Sequence, residues 1–494
     1  MNLTIDPWIP ALRANGRRDL FSLNGLFANA HELRDLAVKP HERIALMRLL
    51  LCITQAALDG PADEDAWVEC QPLIQPKAHA YLDKWQASFE LFGDGPRFLQ
   101  LANLKPGKES DEGNAATKLD LALATGNNST LFDNRAGSLR SLHSARSALN
   151  LIAFQCFAPG GRIGIAKWNG RDTPGNGSSN HAPCTPSSMA HTWLVGESLL
   201  HTVHLNLLSK ESVADVFGPH RWGRPVWELP VKTPEDQPAI ENATLTFLGR
   251  FAPISRAIWL EESGDTILLA NGLDYPIFPA FREATATIIK RKDDLAVLPS
   301  STNRSFWRQL AAVSVRRRSF ADTACGPLAL DHASDAAYTN IWVGALVTDK
   351  AKIEDVIESF YSLPPGMFSE FGRAAYEKGV AYSEEKEGIM VRAVKTYANS
   401  LKVAAPGYDR ARQSFWTRVE QHLSCLFDLA RKTDLVADLP NSAWGHAVHA
   451  AATLAYEQSC PRQTPRQIQA FALGLRHLNF RPPPDPPTTH TTHE

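Results

Sequence analysis

The chain has 494 residues, of which 44% are hydrophobic and 21% are charged, and its formal net charge is −2. Because a single hydrophobic core stops growing at about 250–300 residues, this length predicts more than one domain. The near-neutral charge argues against a free-standing nucleic-acid binder, whose affinity comes mainly from neutralising phosphates, and favours a subunit of a larger assembly.

The seven cysteines are scattered along the chain and form no C-x-x-C pair. An odd number of unclustered cysteines is typical of free thiols in a reducing compartment. The first residues, MNLTIDPWIP, lack the basic and apolar regions of a signal peptide. The apolar run at 44–53 is too short for a membrane span and contains Arg48. We therefore predict a soluble cytoplasmic protein that does not engage a membrane.

Two elements are predicted near the N-terminus. Residues 3–12 alternate in polarity, and Pro7 and Pro10 predict that this strand lies at the edge of a sheet, because proline cannot donate a backbone hydrogen bond. Residues 41–58 place apolar side chains at helical spacing, and Gly60-Pro61 ends the pattern.

A second helical signal, at 139–157, lies between two polar loops rich in glycine and asparagine, at 125–137 and 158–183. Long loops inside a compact domain are often functional. Glycine lets the backbone approach a ligand closely, so the second loop, with Arg162 and Lys167, is a candidate for lying along a nucleic-acid groove. A surface loop with no role is the other interpretation.

Short alternating segments then predict β-structure, at 244–251, 257–262, 266–272 and 284–292. Beyond them, four segments show helical spacing, at roughly 367–402, 409–433, 441–459 and 464–478. Short links between four helices predict an up-down bundle. The predicted fold class is thus α+β, a large mixed N-terminal domain with long loops followed by a C-terminal four-helix bundle. The predicted boundaries are 1–365 for the mixed α/β domain, 366–480 for the bundle and 481–494 for a disordered Pro-rich tail.

The chain carries few signs of catalysis. It has no G-x-S-x-G elbow, no H-E-x-x-H motif and no Walker A loop. Potential metal ligands occur close together, but their spacing matches no metal signature, and core or surface histidines are the simpler interpretation. These ligands are His181, Cys184, His191, His201 and His204. We predict no catalytic residue, no metal and no cofactor, and a metal-dependent hydrolase that uses the 181–204 region stays as the alternative.

A basic stretch is more informative. Residues 282–318 include nine basic residues and only three acidic ones, which are Glu283, Asp293 and Asp294. The aromatic residues Trp307 and Phe320 lie within or just after this stretch. The basic residues are Arg282, Lys290, Arg291, Lys292, Arg304, Arg308, Arg316, Arg317 and Arg318. Such a stretch within a neutral chain is typical of phosphate contact, although a solvated face gives the same pattern.

Several motifs occur in an order that resembles a known family. They are NLTIDPWIP, HELRDL, NNSTLFDN, APGG with its Gly-rich continuation, HTVHLNLL and GALVTDKAKIED. Together they span nearly the whole chain and are similar to the CasA family, the large subunits of the type I-E CRISPR Cascade.

The resemblance implies a function without catalysis. Members of this family read the protospacer-adjacent motif (PAM) in duplex DNA, wedge the strands apart to start an R-loop, and help recruit the helicase-nuclease in antiviral defence. The implied partners are the other Cascade protein subunits, the crRNA, double-stranded target DNA and the helicase-nuclease. Base pairing with the guide then reads the target sequence. A purely scaffolding subunit is a further alternative.

The resemblance also implies roles for two loops. Phe132, Asp133 and Asn134 match the loop that meets the guide-RNA end and the PAM-proximal region, where an aromatic ring is suited to stacking on a base. Gly160 and Gly161, followed by Arg162, match the glycine loop that approaches the PAM. Some relatives have glycine at the position of this arginine.

A wedge and a minor-groove residue complete the assignment. Asp349, Lys350 and Ala351 match the hairpin that inserts between the DNA strands, and Arg282 corresponds to a basic residue that enters the minor groove. Many relatives carry glutamine at the position of Lys350. Because lysine cannot accept a hydrogen bond, we expect a different PAM preference.

Overall fold

The computed structural model of the chain describes residues 1–108, 113–123, 142–159, 163–175, 181–186, 188–277, 281–292, 294–317, 324–349, 352–403, 407–431 and 438–479. The chain divides into two compact units. The larger contains Met1–Ser334 and Tyr338–Ser362, and the smaller contains Asp335–Ala337 and Leu363–Glu494.

The strands of the larger unit form small sheets. They are β1 (Ile9–Arg13), β2 (Arg18–Phe21), β3 (Leu33–Leu36), β4 (Leu104–Pro106), β5 (Asn114–Ala115), β6 (Ala166–Trp168), β7 (Arg171–Asp172), β8 (His191–Leu194), β9 (Arg256–Leu260), β10 (Thr266–Asn271), β11 (Ile288–Arg291), β12 (Asp294–Val297), β13 (Thr339–Asp349) and β14 (Lys352–Leu363). The strand orders are β2-β1-β3, β5-β10-β9, β11-β12, β14-β13-β8 and β4-β6-β7.

Helices occur in both units. Those of the larger unit are α1 (Leu23–Asn29), α2 (Pro40–Leu58), α3 (Glu64–Glu69), α4 (Ile74–Lys84), α5 (Ser144–Phe157), α6 (Leu199–Leu205), α7 (Lys210–Phe217), α8 (Gln237–Leu245), α9 (Phe247–Phe251) and α10 (Leu310–Val313). Those of the smaller unit are α11 (Glu370–Leu401), α12 (Tyr408–Glu420), α13 (Leu423–Ala430), α14 (Ala443–Ser459) and α15 (Pro465–Asn479). The predicted α+β class with C-terminal helices is confirmed. No helix in the described ranges is both long and apolar enough to cross a membrane.

Helix α2 forms the centre of the larger unit, and the prediction of a helix at 41–58 is confirmed. It begins with Pro40 in its first turn, where the missing N–H has no intrahelical partner to lose. The backbone N–H of Lys39 donates to Glu42 Oε2 at 3.0 Å and completes the N-terminal cap. Asp59 then adopts a left-handed conformation, with φ 55°, and ends the helix. Most of α2 is buried, so it serves as core rather than as a surface helix.

The prediction of an edge strand at the N-terminus was wrong. Strand β1 lies between β2 and β3 and pairs with both in antiparallel register. Pro10 tolerates this central position because its ring removes only a donor. Its carbonyl still accepts the backbone N–H of Ala37 at 2.9 Å.

The prediction of a strand at 244–251 was also wrong, because the segment is helical and belongs to the end of α8 and to α9. The hydroxyl of Thr246 accepts the backbone N–H of Gly249 at 3.3 Å and caps α9. This cap and the burial of Phe247, Leu248 and Phe251 outweigh the β-propensity of the sequence. The strands predicted around 257–262 and 266–272 are confirmed as β9 and β10, and β11 occupies part of 284–292.

The smaller unit is built around the long helix α11. Trp444 of α14 is buried and donates from Nε1 to the Gly379 carbonyl of α11 at 2.8 Å. Tyr456 donates from its hydroxyl to the Phe471 carbonyl of α15 at 2.8 Å. The segment predicted as one helix at 409–433 is divided into α12 and α13, which a turn at 421–422 separates.

Candidate nucleic-acid interface

The most extended feature of the larger unit is a two-stranded hairpin, formed by β13 and β14. Only residues 350–351 connect the two strands. At about 3.3 Å per residue, the eleven residues of β13 span roughly 33 Å. The predicted wedge residues Lys350 and Ala351 lie outside the described residues. Asp349, the last residue of β13, is described and exposed.

The hairpin stem, defined as β13 with β14, is anchored to the core helix α2. Trp342 of β13 is buried, and its Nε1 donates to Glu358 Oε2 of β14 at 2.6 Å. The guanidinium of Arg43 in α2 lies over the ring of Trp342 at 5.5 Å and over that of Phe360 at 5.6 Å. Its Nε is 3.8 Å from Glu358 Oε2. The stem is thus held by hydrogen bonding, charge and cation–π contact at once.

The other end of the stem is tied to a neighbouring segment. The backbone N–H of Thr348 donates to Ser188 Oγ at 2.9 Å, and this hydroxyl donates to the Thr348 carbonyl at 3.0 Å. The backbone N–H of Ser300 donates to the Ser188 carbonyl at 2.7 Å, and that of Ala190 donates to the Leu298 carbonyl at 3.1 Å. Residues 188–190 therefore bond to both β13 and the chain that follows β12.

Part of the predicted basic stretch lies at the exposed end of the hairpin formed by β11 and β12, and the chain that follows this hairpin bonds to residues 188–190. Strands β11 and β12 pair in antiparallel register, from Ile288 opposite Val297 to Arg291 opposite Asp294. Lys290, Arg291 and Lys292 are exposed at the end of this hairpin, and no ion pair joins any of them to another described residue. We call these three residues the basic turn.

Two arginines near the end of the basic stretch bond within the protein. Arg317 lies 3.4 Å from Asp331 Oδ2, and Arg316 donates to the Ala333 carbonyl. Trp307 is 1% exposed and belongs to the core. Arg318 and Phe320 lie outside the described residues. Arg316 and Arg317 thus bond within the protein, and phosphate contact by the exposed residues of the stretch stays a prediction.

Arg282 lies beside a buried ionic triad. Its guanidinium is partly buried and donates to Cys325 Sγ. The next residue, Glu283, is 2% exposed and accepts from Arg48 at 2.6 Å and from Arg250 at 2.8 Å. Burial alone would raise the pKa of Glu283, but the two guanidinium groups outweigh it and lower the pKa to about 2. The ionised triad fixes the backbone that carries Arg282.

Two of the histidines considered for the alternative hydrolase, His191 and His204, each contact different neighbours. His191 is buried, and its Nδ1 lies 3.0 Å from the Thr285 hydroxyl. His204 stacks on Trp67 with ring centroids 4.5 Å apart. Burial lowers the pKa of both rings, to about 3 for His191. Over the described ranges, no three His, Cys, Asp or Glu side chains are grouped to hold a metal ion.

The two predicted loops are only partly described. Phe132, Asp133 and Asn134 lie outside the described residues, as do Gly160, Gly161 and Arg162. The chain leaves α5 at Ala158, which has φ 35°, and the carbonyl of Ala158 accepts from Arg256 Nη2 at 3.1 Å. It returns at Ile163, which is buried, and at Gly164, which bridges to Ala270.

Sequence reasoning missed the residues that support the stem. Arg43 lies more than 300 positions from Glu358 in the chain, and Ser188 lies 160 positions from Thr348. No local pattern signals such a contact, because each residue alone is ordinary for its helix or loop.

Comparison with known proteins identifies the family. The family model described as CRISPR-associated protein Cse1 matches residues 2–455. The chain belongs to this Cse1 (CasA) family, the large subunits of the type I-E Cascade. It is similar to the CRISPR-associated protein CasA/Cse1 of Thermus thermophilus, with 30% identity over 406 residues, which cover 78% of this chain and 75% of the relative.

Solved structures show the same fold. Thermobifida fusca Cse1 matches with a TM-score of 0.75 and 20% identity, covering 97% of this chain and 98% of the other. Thermus thermophilus CasA matches with a TM-score of 0.74 and 21% identity, over 97% and 99% of the two chains. A chain of a CRISPR RNA-guided surveillance complex matches with a TM-score of 0.72 and 16% identity, over 97% and 99%.

Proposed function

We propose that this chain is the DNA-recognition subunit of a crRNA-guided type I-E Cascade, with a binding role and no catalytic one. It reads the PAM in duplex DNA, wedges the strands apart to start the R-loop and helps to recruit the helicase-nuclease. Membership of the Cse1 family supports assembly with the other Cascade subunits and crRNA. The similarity to a chain of an RNA-guided surveillance complex agrees with this assembly.

The observation that carries the proposal is the anchored hairpin stem. A wedge must resist the force that opens a duplex, since unstacking one base step costs a few kcal/mol. The Arg43 and Glu358 contacts hold one end of the stem to α2, and the paired hydrogen bonds between Ser188 and Thr348 hold the other end. A stem fixed at both ends can oppose the force that the duplex exerts on it.

Lys350, at the connection between β13 and β14, is the residue we assign to the PAM. Its ammonium donates hydrogen bonds and accepts none. The minor groove offers acceptors at adenine N3 and thymine O2, whereas a G·C pair adds a donor. A lysine at this position therefore favours a PAM that presents acceptors, and Lys350→Gln is expected to relax that preference.

Other groups would bind the DNA backbone and the guide. The basic turn supplies three exposed cations with no ion-pair partner in the described part of the chain, which suits contact with duplex phosphates. Arg282 would enter the minor groove after releasing Cys325. Phe132, with Asp133 and Asn134, would stack at the end of the guide RNA, and the glycine loop at 160–162 would approach the PAM.

The test is binding of a PAM-bearing duplex to the guide-loaded complex, with and without this subunit. A second arm carries Lys350→Ala, and Lys77→Ala, an exposed lysine of α4, is the matched control. We expect only complexes with wild-type or Lys77→Ala subunit to bind and to discriminate PAM variants. Equal binding and discrimination without the subunit would refute the proposal. Unchanged discrimination in Lys350→Ala would instead favour a purely scaffolding role.

A further inference from the structure

The loop that follows α7, residues 218–224, presents two cations without a counter-charge. Its sequence, GPHRWGR, contains no acidic residue. Arg221 and Arg224 are exposed, and neither guanidinium forms an ion pair or a hydrogen bond with any residue that the structure describes. We call residues 218–224 the arginine loop. Because a guanidinium carries five N–H donors and a fixed charge, the loop is suited to bind an anion from outside the chain.

The backbone of the arginine loop is bonded to the helices α8 and α9. The backbone N–H of Phe247, in α9, donates to the Arg221 carbonyl at 2.8 Å. The backbone N–H of Arg224 donates to Oδ1 of Asn242, in α8, at 3.0 Å, and Nδ2 of Asn242 donates to the Arg224 carbonyl at 2.8 Å. Both arginines are thus fixed at the backbone, although their side chains are exposed.

Close packing restrains the loop further. Gly223 has φ 73°, and a Cβ at this position would lie 1.9 Å from Thr246 Oγ1, so only glycine fits. Trp222 packs so closely on Gly60 that a Cβ there would lie 2.4 Å from the indole ring. His220 also adopts a left-handed conformation, with φ 63°, which persists only where surrounding contacts enforce it. The arginines are therefore placed before a ligand arrives, which lowers the entropic cost of binding.

The exposed surface of the arginine loop fits a polyanion better than it fits another protein. Its exposed residues are Pro219, His220, Arg221 and Arg224, whereas the large apolar residue Trp222 is half-buried against the core. The core of a protein interface is depleted in charge and enriched in apolar side chains. A surface of exposed cations without a large hydrophobic side chain is instead typical of contact with phosphates.

The arginine loop lies close to the segment that leads to the basic turn. Phe217, the last residue of α7, stacks on Phe281 with ring centroids 4.9 Å apart. The chain continues from Phe281 to β11 and then to the basic turn. A polymer that repeats its charge, such as a nucleic-acid backbone, can contact two separate cationic surfaces, whereas a single small anion cannot.

We infer that Arg221 and Arg224 bind backbone phosphates of duplex DNA and form a second cationic surface in addition to the basic turn, an inference that rests on the proposed function. Each planar guanidinium can donate two parallel hydrogen bonds to one phosphate. The fixed backbone of the loop sets where the two guanidinium groups begin, and the contact carries no sequence preference of its own.

The test measures the binding of a PAM-bearing duplex to the guide-loaded complex with full-length subunit, over a range of salt concentrations. One variant combines Arg221→Ala with Arg224→Ala, and a second combines Arg221→Lys with Arg224→Lys and keeps both charges. Lys77→Ala with Lys84→Ala is the matched control, because it removes two exposed cations of α4 that have no ion-pair partner in the described ranges. A single-stranded target complementary to the guide is the second probe.

We expect the alanine pair to reduce the magnitude of the slope of log binding constant against log salt concentration by about 1.8, which is about 0.9 for each of two phosphates. The lysine pair should keep the wild-type slope, since counterion release depends on charge, and the control pair should also keep it. Binding of the single-stranded target should be unchanged in every variant, because this probe has no duplex backbone for the loop to contact.

Three results would contradict the inference in distinguishable ways. If the alanine pair keeps the wild-type slope while the complex without the subunit fails to bind the duplex, the arginine loop does not contact DNA and the proposed function stands. If the alanine pair fails to enter the complex, or weakens binding of the single-stranded target equally, the loop contacts a partner subunit or the guide. If the complex without the subunit binds the duplex as tightly as the complete complex, the proposed function fails, and this inference fails with it.

Discussion

Replacing Glu283 by glutamine should strongly destabilise the larger unit. Glu283 is the carboxylate that both Arg48 and Arg250 contact, and all three side chains are at most 5% exposed. Removing one partner of a buried ionic network leaves uncompensated charge and costs about 3–5 kcal/mol. Because domains are stable by only about 5–15 kcal/mol, this loss should be easy to detect.

The measurement is urea unfolding followed by tryptophan fluorescence, which the buried tryptophans of the larger unit make informative. Glu235→Gln is the matched control, since Glu235 is 60% exposed and lies 3.4 Å from Arg171. An exposed pair of this kind contributes about 0–1 kcal/mol. If the two variants shift the unfolding midpoint equally, the triad does not contribute as a buried charge network, and the reasoning is refuted.

The same triad predicts a pH dependence. The folded state lowers the pKa of Glu283 to about 2, so its stabilising contribution is complete above the ordinary glutamate pKa of about 4.5. It is lost as the pH falls from about 4.5 to about 2, and the shift corresponds to about 3 kcal/mol. In Glu283→Gln, this part of the acid sensitivity should be absent, whereas an unchanged acid profile would contradict the assignment.

Three further predictions concern separate parts of the molecule. Replacing all three residues of the basic turn by alanine should weaken the salt dependence of duplex binding by the complete complex. The slope of log binding constant against log salt concentration should fall in magnitude by about 0.9 for each phosphate that the turn neutralises. An unchanged slope would mean that the turn does not contact DNA. Arg43→Gln should loosen the stem and therefore reduce strand opening more than initial duplex binding. Strand opening would be measured by the fluorescence of a base analogue and duplex binding by affinity, both on the same DNA. Equal losses in the two measurements would contradict the role of the stem. Trp444→Phe should lower the free energy of unfolding of the smaller unit by about 1–3 kcal/mol, because it removes the indole bond to the Gly379 carbonyl and leaves unfilled volume in the core. The measurement is denaturant unfolding, and no change would show that the bond to α11 is dispensable.

The parts of the fold that could be predicted are those with local signals. Helix α2 follows from its apolar spacing and from Gly60-Pro61 after it, and the strands β9 and β10 follow from alternation between turns. The segment 244–251 was mispredicted because its β-prone residues conceal the capping role of Thr246. The helix cap and the burial of apolar side chains together stabilise the helix more than the β-propensity of these residues favours a strand.

The candidate site was less predictable from physics alone. Composition indicated a basic stretch, but the structure separates an exposed turn from arginines that bond internally. The triad unites residues 48, 250 and 283 at chain separations that no periodicity reveals. The wedge and loop residues came from family resemblance, and their roles stay predictions.

The most direct test of the account is strand opening beside the PAM. A duplex with a fluorescent base analogue at the first PAM-proximal pair would be mixed with guide-loaded complex containing the wild-type or Lys350→Ala subunit, and with complex lacking the subunit. The account predicts a PAM-dependent rise in fluorescence with the wild-type subunit, a much smaller rise with Lys350→Ala and none without the subunit. The same rise in all three samples would show that other components open the duplex and would contradict the account.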